Sequence, residues 1–315
     1  MRKFLVIFLI SAVISTVGVV IYRDNFTRIN LPVSEKVLGS EIDAINLWFP
    51  KTDNNVNTQD LGINAASAIL VNYNTGEVLY AKEVSRRLPV ASTIKIMTAL
   101  VSLENADFGE TFVVSKNAVE VGEDSMGLSA GEKVMFEDLL YGLMLPSGND
   151  AAVTIAEGIA GSEDAFVALM NFKSGRLSLK NTKFVNATGL DVDSEKQFST
   201  AYDLATIARY TWENQKEFRH IVSTDHKFIA ATADHKSFDL YNDTNLLTTY
   251  PGVRGIKPGF TWEAGYCLVT YAENYGVKLI GVLLNSQDRR GEMTRLLDYG
   301  FGKYGVRIEH PELVL

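Results

Sequence analysis

The sequence predicts an α+β domain: one antiparallel sheet assembled from both ends of the chain, with a helical region inserted between its strands. Three observations predict it. Runs of strand composition stand near the start (Ala66 to Lys82) and near the end (Gly265 to Leu284) of residues 62–315, and the segments between them carry apolar residues at helical spacing. A chain of 315 residues with 46% hydrophobic content can bury a substantial core.

Phe4 to Tyr22 is a run of nineteen uncharged, mostly apolar positions, with Arg2 and Lys3 before it and Arg23 after it. That length nearly spans a bilayer as a helix. The run ends in Val19, Val20, Ile21 and Tyr22 with no small-residue cleavage site, so residues 1–23 are expected to be an uncleaved membrane anchor, with a cleaved signal segment as the alternative. The positive charges ahead of the segment predict a cytoplasmic N-terminus and export of everything that follows. From Asp24 the sequence is polar and aperiodic, which predicts a linker over 24–61 and a folded domain over 62–315.

Within the folded domain, Ala66 to Tyr73, the turn Asn74-Thr75-Gly76, and Glu77 to Lys82 predict a β-hairpin. Phe136 to Met144, Asp150 to Ile159, Glu163 to Phe172 and Ala201 to Trp212 predict helices. Gly265 to Tyr271 and Val277 to Leu284 predict two more strands, and Glu292 to Tyr299 a closing helix.

Composition narrows the chemistry. Lys and Arg number 30 against 38 Asp and Glu, a net charge of −8. The first 28 residues hold four basic side chains and one acid, which leaves the remainder at −11. A nucleic-acid partner is not expected, because phosphate binding needs a basic face. Cys267 is the one cysteine, so neither an internal disulfide nor a thiolate metal site is available. His220, His226, His235 and His310 show no close ligand spacing, and neither metal nor organic cofactor is predicted.

Ser92-Thr93-Ile94-Lys95 falls at the start of an apolar helical run. Ser92 would stand at the positive end of the helix dipole, and Lys95, three residues on, shares its face. A serine becomes a nucleophile when a base takes its proton, and a lysine held neutral by burial can serve. By itself the pattern also fits a helix cap beside a solvated lysine. Two further elements give it company: Ser147-Gly148-Asn149 at a turn between two predicted helices, and Lys257-Pro258-Gly259 opening the stretch up to Tyr271. The order matches the trio Ser-x-x-Lys, Ser-Asp-Asn and Lys-Thr-Gly of penicillin-binding proteins and class A β-lactamases, with one substitution in each of the last two.

On these residues the chain resembles the serine D-alanyl-D-alanine carboxypeptidases, the low-molecular-weight penicillin-binding proteins. The resemblance covers about residues 62 to 305. It extends through Leu88 to Leu100, Gly127 to Ala152, Phe184 to Leu190, Ser199 to Ala205 and Gly255 to Leu268. It implies a β-lactamase/transpeptidase-like fold, peptidoglycan stem peptides as substrates, and β-lactam antibiotics as covalent inhibitors. It also implies roles: Ser92 as nucleophile, Lys95 as its base, and Ser147 as proton relay to the leaving D-alanine. Asn149, Lys257, Gly259 and Phe260 would contact substrate, with the N–H groups of Ser92 and Phe260 stabilising the oxyanion.

Three departures stand out. Pro258 replaces the hydroxyl residue expected to bind the substrate carboxylate, and a proline in a sheet belongs on an edge strand. Gln197 replaces an expected histidine, and the chain ends at Leu315, soon after the catalytic region. A β-lactamase reading fails for want of the deacylating glutamate between the second and third motifs, where Thr182 to Thr188 has none. A catalytically weak peptidoglycan- or penicillin-binding module remains as the alternative, resting on Pro258 alone. Cys267 is expected to be a small buried residue, and Trp262 and Tyr266 are expected to pack rather than meet substrate.

Overall fold

A computed structural model of the chain describes residues 48–51, 60–192 and 196–311. The apolar run Phe4 to Tyr22 and most of the stretch read as a linker lie outside the described residues. Among the described residues no helix is long and apolar enough to cross a membrane.

The predicted hairpin is β1 (Ser67–Asn72) and β2 (Val78–Lys82), joined by a turn in which the Asn72 side-chain oxygen accepts from the Asn74 and Thr75 N–H groups. Residues 48–51 lie against this hairpin, with the Lys51 N–H donating to the Gly76 carbonyl at 2.7 Å. A short 3-10 turn (Ala91–Ile94) leads into α1 (Lys95–Asn105). Then follow β3 (Thr111–Val113), α2 (Lys116–Glu120), β4 (Lys133–Met135), α3 (Phe136–Met144), α4 (Asn149–Ala160) and α5 (Glu163–Arg176). Next come α6 (Ala201–Asn214), α7 (Lys216–Val222), β5 (His226–Ile229), β6 (Phe238–Tyr241) and α8 (Leu246–Thr249). The chain then lays down β7 (Val253–Thr261), β8 (Gly265–Asn274) and β9 (Val277–Ser286) and closes with α9 (Arg289–Gly302).

The main sheet has five antiparallel strands in the order β2-β1-β9-β8-β7, so the two chain ends meet at its centre, where Ser67 pairs with Leu284 and Asn72 with Leu279. Both faces are covered. Alternate residues of β1 and β9 (Ala68, Leu70, Leu279, Leu283) join Met293, Leu297 and Phe301 of α9 in one core. The intervening ones (Ile69, Val71, Ile280, Val282) face the helical region and its larger core. A strand buried on both faces reads as a continuous apolar run rather than an alternating one, which is how β8 and β9 look in sequence. β7 is an edge strand, and Pro258 sits in it opposite Leu268, where no ladder partner on the outer side needs its missing N–H.

Four helix starts are capped by side chains: Ser115 accepts from Ala118 N–H, Ser162 from Ala165 N–H, Thr200 from Asp203 N–H and Asp288 from Gly291 N–H. Two small hairpins, β3 with β4 and β5 with β6, add to the predicted elements; strands of three and four residues are too short for a periodic signal. Cys267 is fully buried, as expected. Trp262 departs from the expectation of packing, being 94% exposed in the turn between β7 and β8, whereas the half-exposed Tyr266 of β8 packs against Phe260 with ring centroids 4.8 Å apart.

Candidate active site

The 3-10 turn carrying Ser92 is held in a conformation that its sequence does not favour. Ala91 has a positive φ of 48°, and the Thr93 hydroxyl clamps the turn by donating to the Val90 carbonyl at 2.6 Å. Two glycines allow other backbone to reach it. A Cβ on Gly259 of β7 would lie 2.9 Å from the Ser92 nitrogen, and one on Gly189 would lie 2.7 Å from the same atom. The nucleophile turn is therefore wedged between the sheet edge and the loop over residues 184–190. Phe260, the next residue on β7, thereby comes beside Ser92, the juxtaposition that an oxyanion hole built from their two N–H groups requires.

Lys95, in the first turn of α1, is fully buried, and its Nζ makes three contacts: Ser92 Oγ at 2.9 Å, Asn149 Oδ1 at 2.7 Å and the Thr188 carbonyl at 2.5 Å. Asn149 Oδ1 and the Thr188 carbonyl can only accept. An amine with two hydrogens satisfies both and keeps its lone pair for the Ser92 O–H. Burial, with the charge of Lys257 second, holds the Lys95 pKa well below the ordinary lysine value, which favours that neutral form.

Ser147 sits between α3 and α4 with a positive φ of 66°, and its buried Oγ has no hydrogen-bond partner among the described residues. Lys257 Nζ is likewise fully buried and unpartnered among them. Two adjacent motifs thus each keep a buried polar atom uncommitted, the condition expected of groups whose partner is a ligand. Burial lowers the Lys257 pKa to about 8, while Asp243 and Asp124 pull it upward and Arg289 pushes it down. Asp243 is placed by its backbone N–H, which donates to the Leu145 carbonyl at 3.1 Å, two residues before Ser147.

Asn149, expected to contact substrate, is engaged at both ends here. Its oxygen accepts from Lys95, and its Nδ2 donates to the Gly122 carbonyl at 3.0 Å. Asp150 secures the same wall of the cleft. Its carboxylate accepts from Ser125 Oγ and from the N–H groups of Met126, Gly127 and Leu128, at 2.6 to 3.0 Å. Gln197 braces the opposite loop. Its Nε2 donates to the Leu190 carbonyl at 2.9 Å and to Asn186 Oδ1 at 3.3 Å, tying down the segment that presents the Thr188 carbonyl.

Ser92, Lys95, Ser147, Asn149, Lys257, Gly259 and Phe260 therefore come together from three separate stretches of the chain. The three short motifs do not reach Thr188, Asp243 or Arg289. The Arg289 guanidinium donates to the Gly259 carbonyl at 3.0 Å and lies 5.1 Å from the Tyr266 ring. Its signal in the sequence is a cation in the first turn of a helix, where the dipole disfavours positive charge.

A serine hydrogen-bonded to a buried lysine base, with backbone and cations around it, defines a serine acyl-transfer enzyme of the Ser-x-x-Lys type. The chain belongs to the D-alanyl-D-alanine carboxypeptidase family, whose profile matches residues 53–288. It is 38% identical over 273 residues to the D-alanyl-D-alanine carboxypeptidase DacF of Bacillus subtilis, covering 84% of this chain and 68% of that one. Among solved structures it is similar to the DD-transpeptidase of Streptomyces K15, with a TM-score of 0.71 and 32% identity over 78% of this chain and 100% of that one. It also resembles a D-alanyl-D-alanine carboxypeptidase from Mycobacterium tuberculosis, with a TM-score of 0.72 and 29% identity over 80% of this chain and 96% of that one.

Proposed function

We propose that Ser92 is the nucleophile of a serine-type D-Ala-D-Ala carboxypeptidase that removes the terminal D-alanine from peptidoglycan stem pentapeptides. The observation that carries this reading is the Lys95 amine, buried and bonded to Ser92 Oγ. Lys95 takes the hydroxyl proton as Ser92 Oγ bonds to the carbonyl carbon between the last two D-alanines. The oxyanion is met by the N–H groups of Ser92 and Phe260, a contribution typically of about 3 kcal/mol per donor. As the C–N bond breaks, the proton taken up by Lys95 passes by way of Ser147 to the departing amine, and water, giving its proton to the freed Lys95, then hydrolyses the ester. Lys257 and Arg289 supply positive charge for the substrate carboxylate, with Gly259 allowing close approach. Asn149 holds Lys95 and borders the substrate groove. β-Lactams acylate the same serine.

The chain is organised as an anchor (1–23), a linker (24–61) and a catalytic domain (62–315). The apolar run of residues 4–22 holds it in the membrane, and the catalytic domain lies on the extracytoplasmic side. The supporting observations are the length of that run and the basic residues ahead of it. Extraction of bacterial membranes with alkaline carbonate should leave the full-length chain in the pellet; its appearance in the supernatant would refute the anchor.

The direct test of activity is D-alanine release from a pentapeptide ending in D-Ala-D-Ala by the full-length chain, with Ser92→Ala as control. Release that disappears in the variant is expected. Absence of release from folded protein that still binds penicillin would favour the binding-module alternative.

A further inference from the structure

At its β7 edge the Ser92 cleft is bordered by an aromatic surface whose side chains the reaction does not use. Trp262, in the turn between β7 and β8, is 94% exposed, and its ring meets that of Phe260 edge-on at 5.6 Å. The Phe260 ring in turn lies 4.8 Å from that of Tyr266, and both are half-exposed. Exposed aromatic residues scattered singly are ordinary. Three of them joined through Phe260 make a contiguous apolar patch, the mark of an interaction site.

The patch is braced. Arg289, fixed by its bond to the Gly259 carbonyl, lies 5.1 Å from the Tyr266 ring. The turn is tied down on both sides of Trp262: Thr261 Oγ1 donates to Asp191 Oδ1 at 3.0 Å and accepts from the Ala264 N–H at 3.1 Å, and the Glu263 N–H donates to Asp191 Oδ2 at 3.3 Å. A held turn therefore presents Trp262 to solvent, and a large, stiff ring gives up little conformational entropy when a ligand covers it.

The direction of β7 says what reaches this surface. β7 is an edge strand, open to an extended peptide on its outer side. Lys257 stands by the substrate carboxylate and the Phe260 N–H by the scissile carbonyl, so the peptide runs antiparallel to β7, and the residues that precede the D-alanine pair continue past Phe260. At about 3.3 Å per strand residue, Trp262 lies roughly 7 Å beyond Phe260, the span of two extended residues. We infer that Trp262, with Phe260 and Tyr266, forms the subsite for the two residues that precede the D-alanine pair and selects apolar side chains there. This rests on the reaction proposed for Ser92, which fixes the direction of the peptide. The surface is continuous with the catalytic contacts through Phe260, whose N–H serves the oxyanion and whose ring is the centre of the patch, so the substrate itself is the occupant that the cleft delivers.

The test compares two peptides of equal length, acetyl-Nle-Nle-D-Ala-D-Ala (Nle, norleucine) and acetyl-Gly-Gly-D-Ala-D-Ala, which share a backbone and differ in apolar side chains. Binding is titrated on the full-length Ser92→Ala chain in detergent, where no turnover intervenes. The norleucine peptide should bind about tenfold more tightly and should move the tryptophan emission to shorter wavelength, because Trp262 leaves water. The other two tryptophans, Trp48 and Trp212, lie off this surface. Adding Trp262→Ala should remove the emission shift and most of the preference; the side chain is exposed, so the variant should fold, and an unchanged Tm checks it. Equal binding of the two peptides, or a preference that survives Trp262→Ala, would overturn the subsite. D-Alanine release by the chain with Ser92 intact is scored separately. No release from either peptide, with the binding preference present, would overturn the reaction and uphold the subsite; release without any preference would do the reverse.

Discussion

Gly189 lies so close to Ala91 that a methyl group added to it would come within 2.3 Å of the Ala91 carbonyl oxygen, and Gly189 itself has a φ of 94°. Nucleophile turn and supporting loop are in backbone-to-backbone contact. Gly189→Ala therefore meets two penalties at once, a left-handed conformation costing about 1 kcal/mol and a clash that must displace Ser92. Acylation by labelled penicillin should slow at least tenfold. Wild-type acylation would mean that the loop can retreat without moving the serine.

The activity should have an alkaline limit set by Lys257. In the free enzyme the kcat/KM profile reports the pKa values of the essential groups, and Lys257 loses its charge near pH 8, so kcat/KM should fall above that pH. Asp243 is the foremost of the carboxylates that raise the Lys257 value, so Asp243→Asn should move the alkaline limb to lower pH; a limb that stays put would remove Asp243 from this role. Around Lys257 the titratable groups are Lys95, Asp124, Asp243 and Arg289, and only the two carboxylates favour its protonated form. The effect on folding has the opposite sign. A lysine whose folded pKa is depressed binds its proton more weakly in the native state, so its contribution to stability improves as pH rises from about 8 towards the ordinary lysine value.

Pro258→Thr should accelerate D-alanine release. The substitution restores a hydroxyl beside Lys257, and a hydrogen bond to a charged group contributes about 1.5 to 3 kcal/mol, so a gain of roughly tenfold in kcat/KM is expected. The strand should tolerate the change, because Pro258 lies on a sheet edge. Unchanged kinetics with a D-Ala-D-Ala peptide would show that carboxylate recognition has moved elsewhere.

Asp150→Ala should cost stability as well as activity. Two buried backbone N–H groups, those of Met126 and Leu128, lose their acceptor, while the exposed Gly127 N–H keeps the Ser125 hydroxyl. Buried unpaired groups cost about 1 to 3 kcal/mol each, so a loss of about 3 kcal/mol or more is predicted, equivalent to a fall in Tm of roughly 10 °C. Thermal unfolding followed by circular dichroism measures it directly; a shift below about 2 °C would contradict the assignment.

Much of this architecture is legible in the residues. The strands at both chain ends carry composition signals strong enough to locate β1, β2, β8 and β9, and the four central helices show their spacing plainly. Ser92 and Lys95 are legible because three residues along a helix start bring two side chains onto one face. What sequence spacing does not carry is contact across long separations. Thr188 serves through its backbone carbonyl, which has no residue signature, and Asp243 matters only because β6 and α8 bring it beside Leu145. Trp262 escapes a sequence reading for a related reason: an aromatic residue near a strand reads as core until the sheet order shows that the strand is an edge.

The pairing of β1 with β9 also has a temporal side. Ser67 finds Leu284 only after about 200 intervening residues have been made, so the sheet cannot close around the nucleophile segment early in synthesis. A chain whose central strands come from its two ends stays open until nearly all of it has been made. The acylating serine then acquires its surroundings last, when β9 takes its place beside β1.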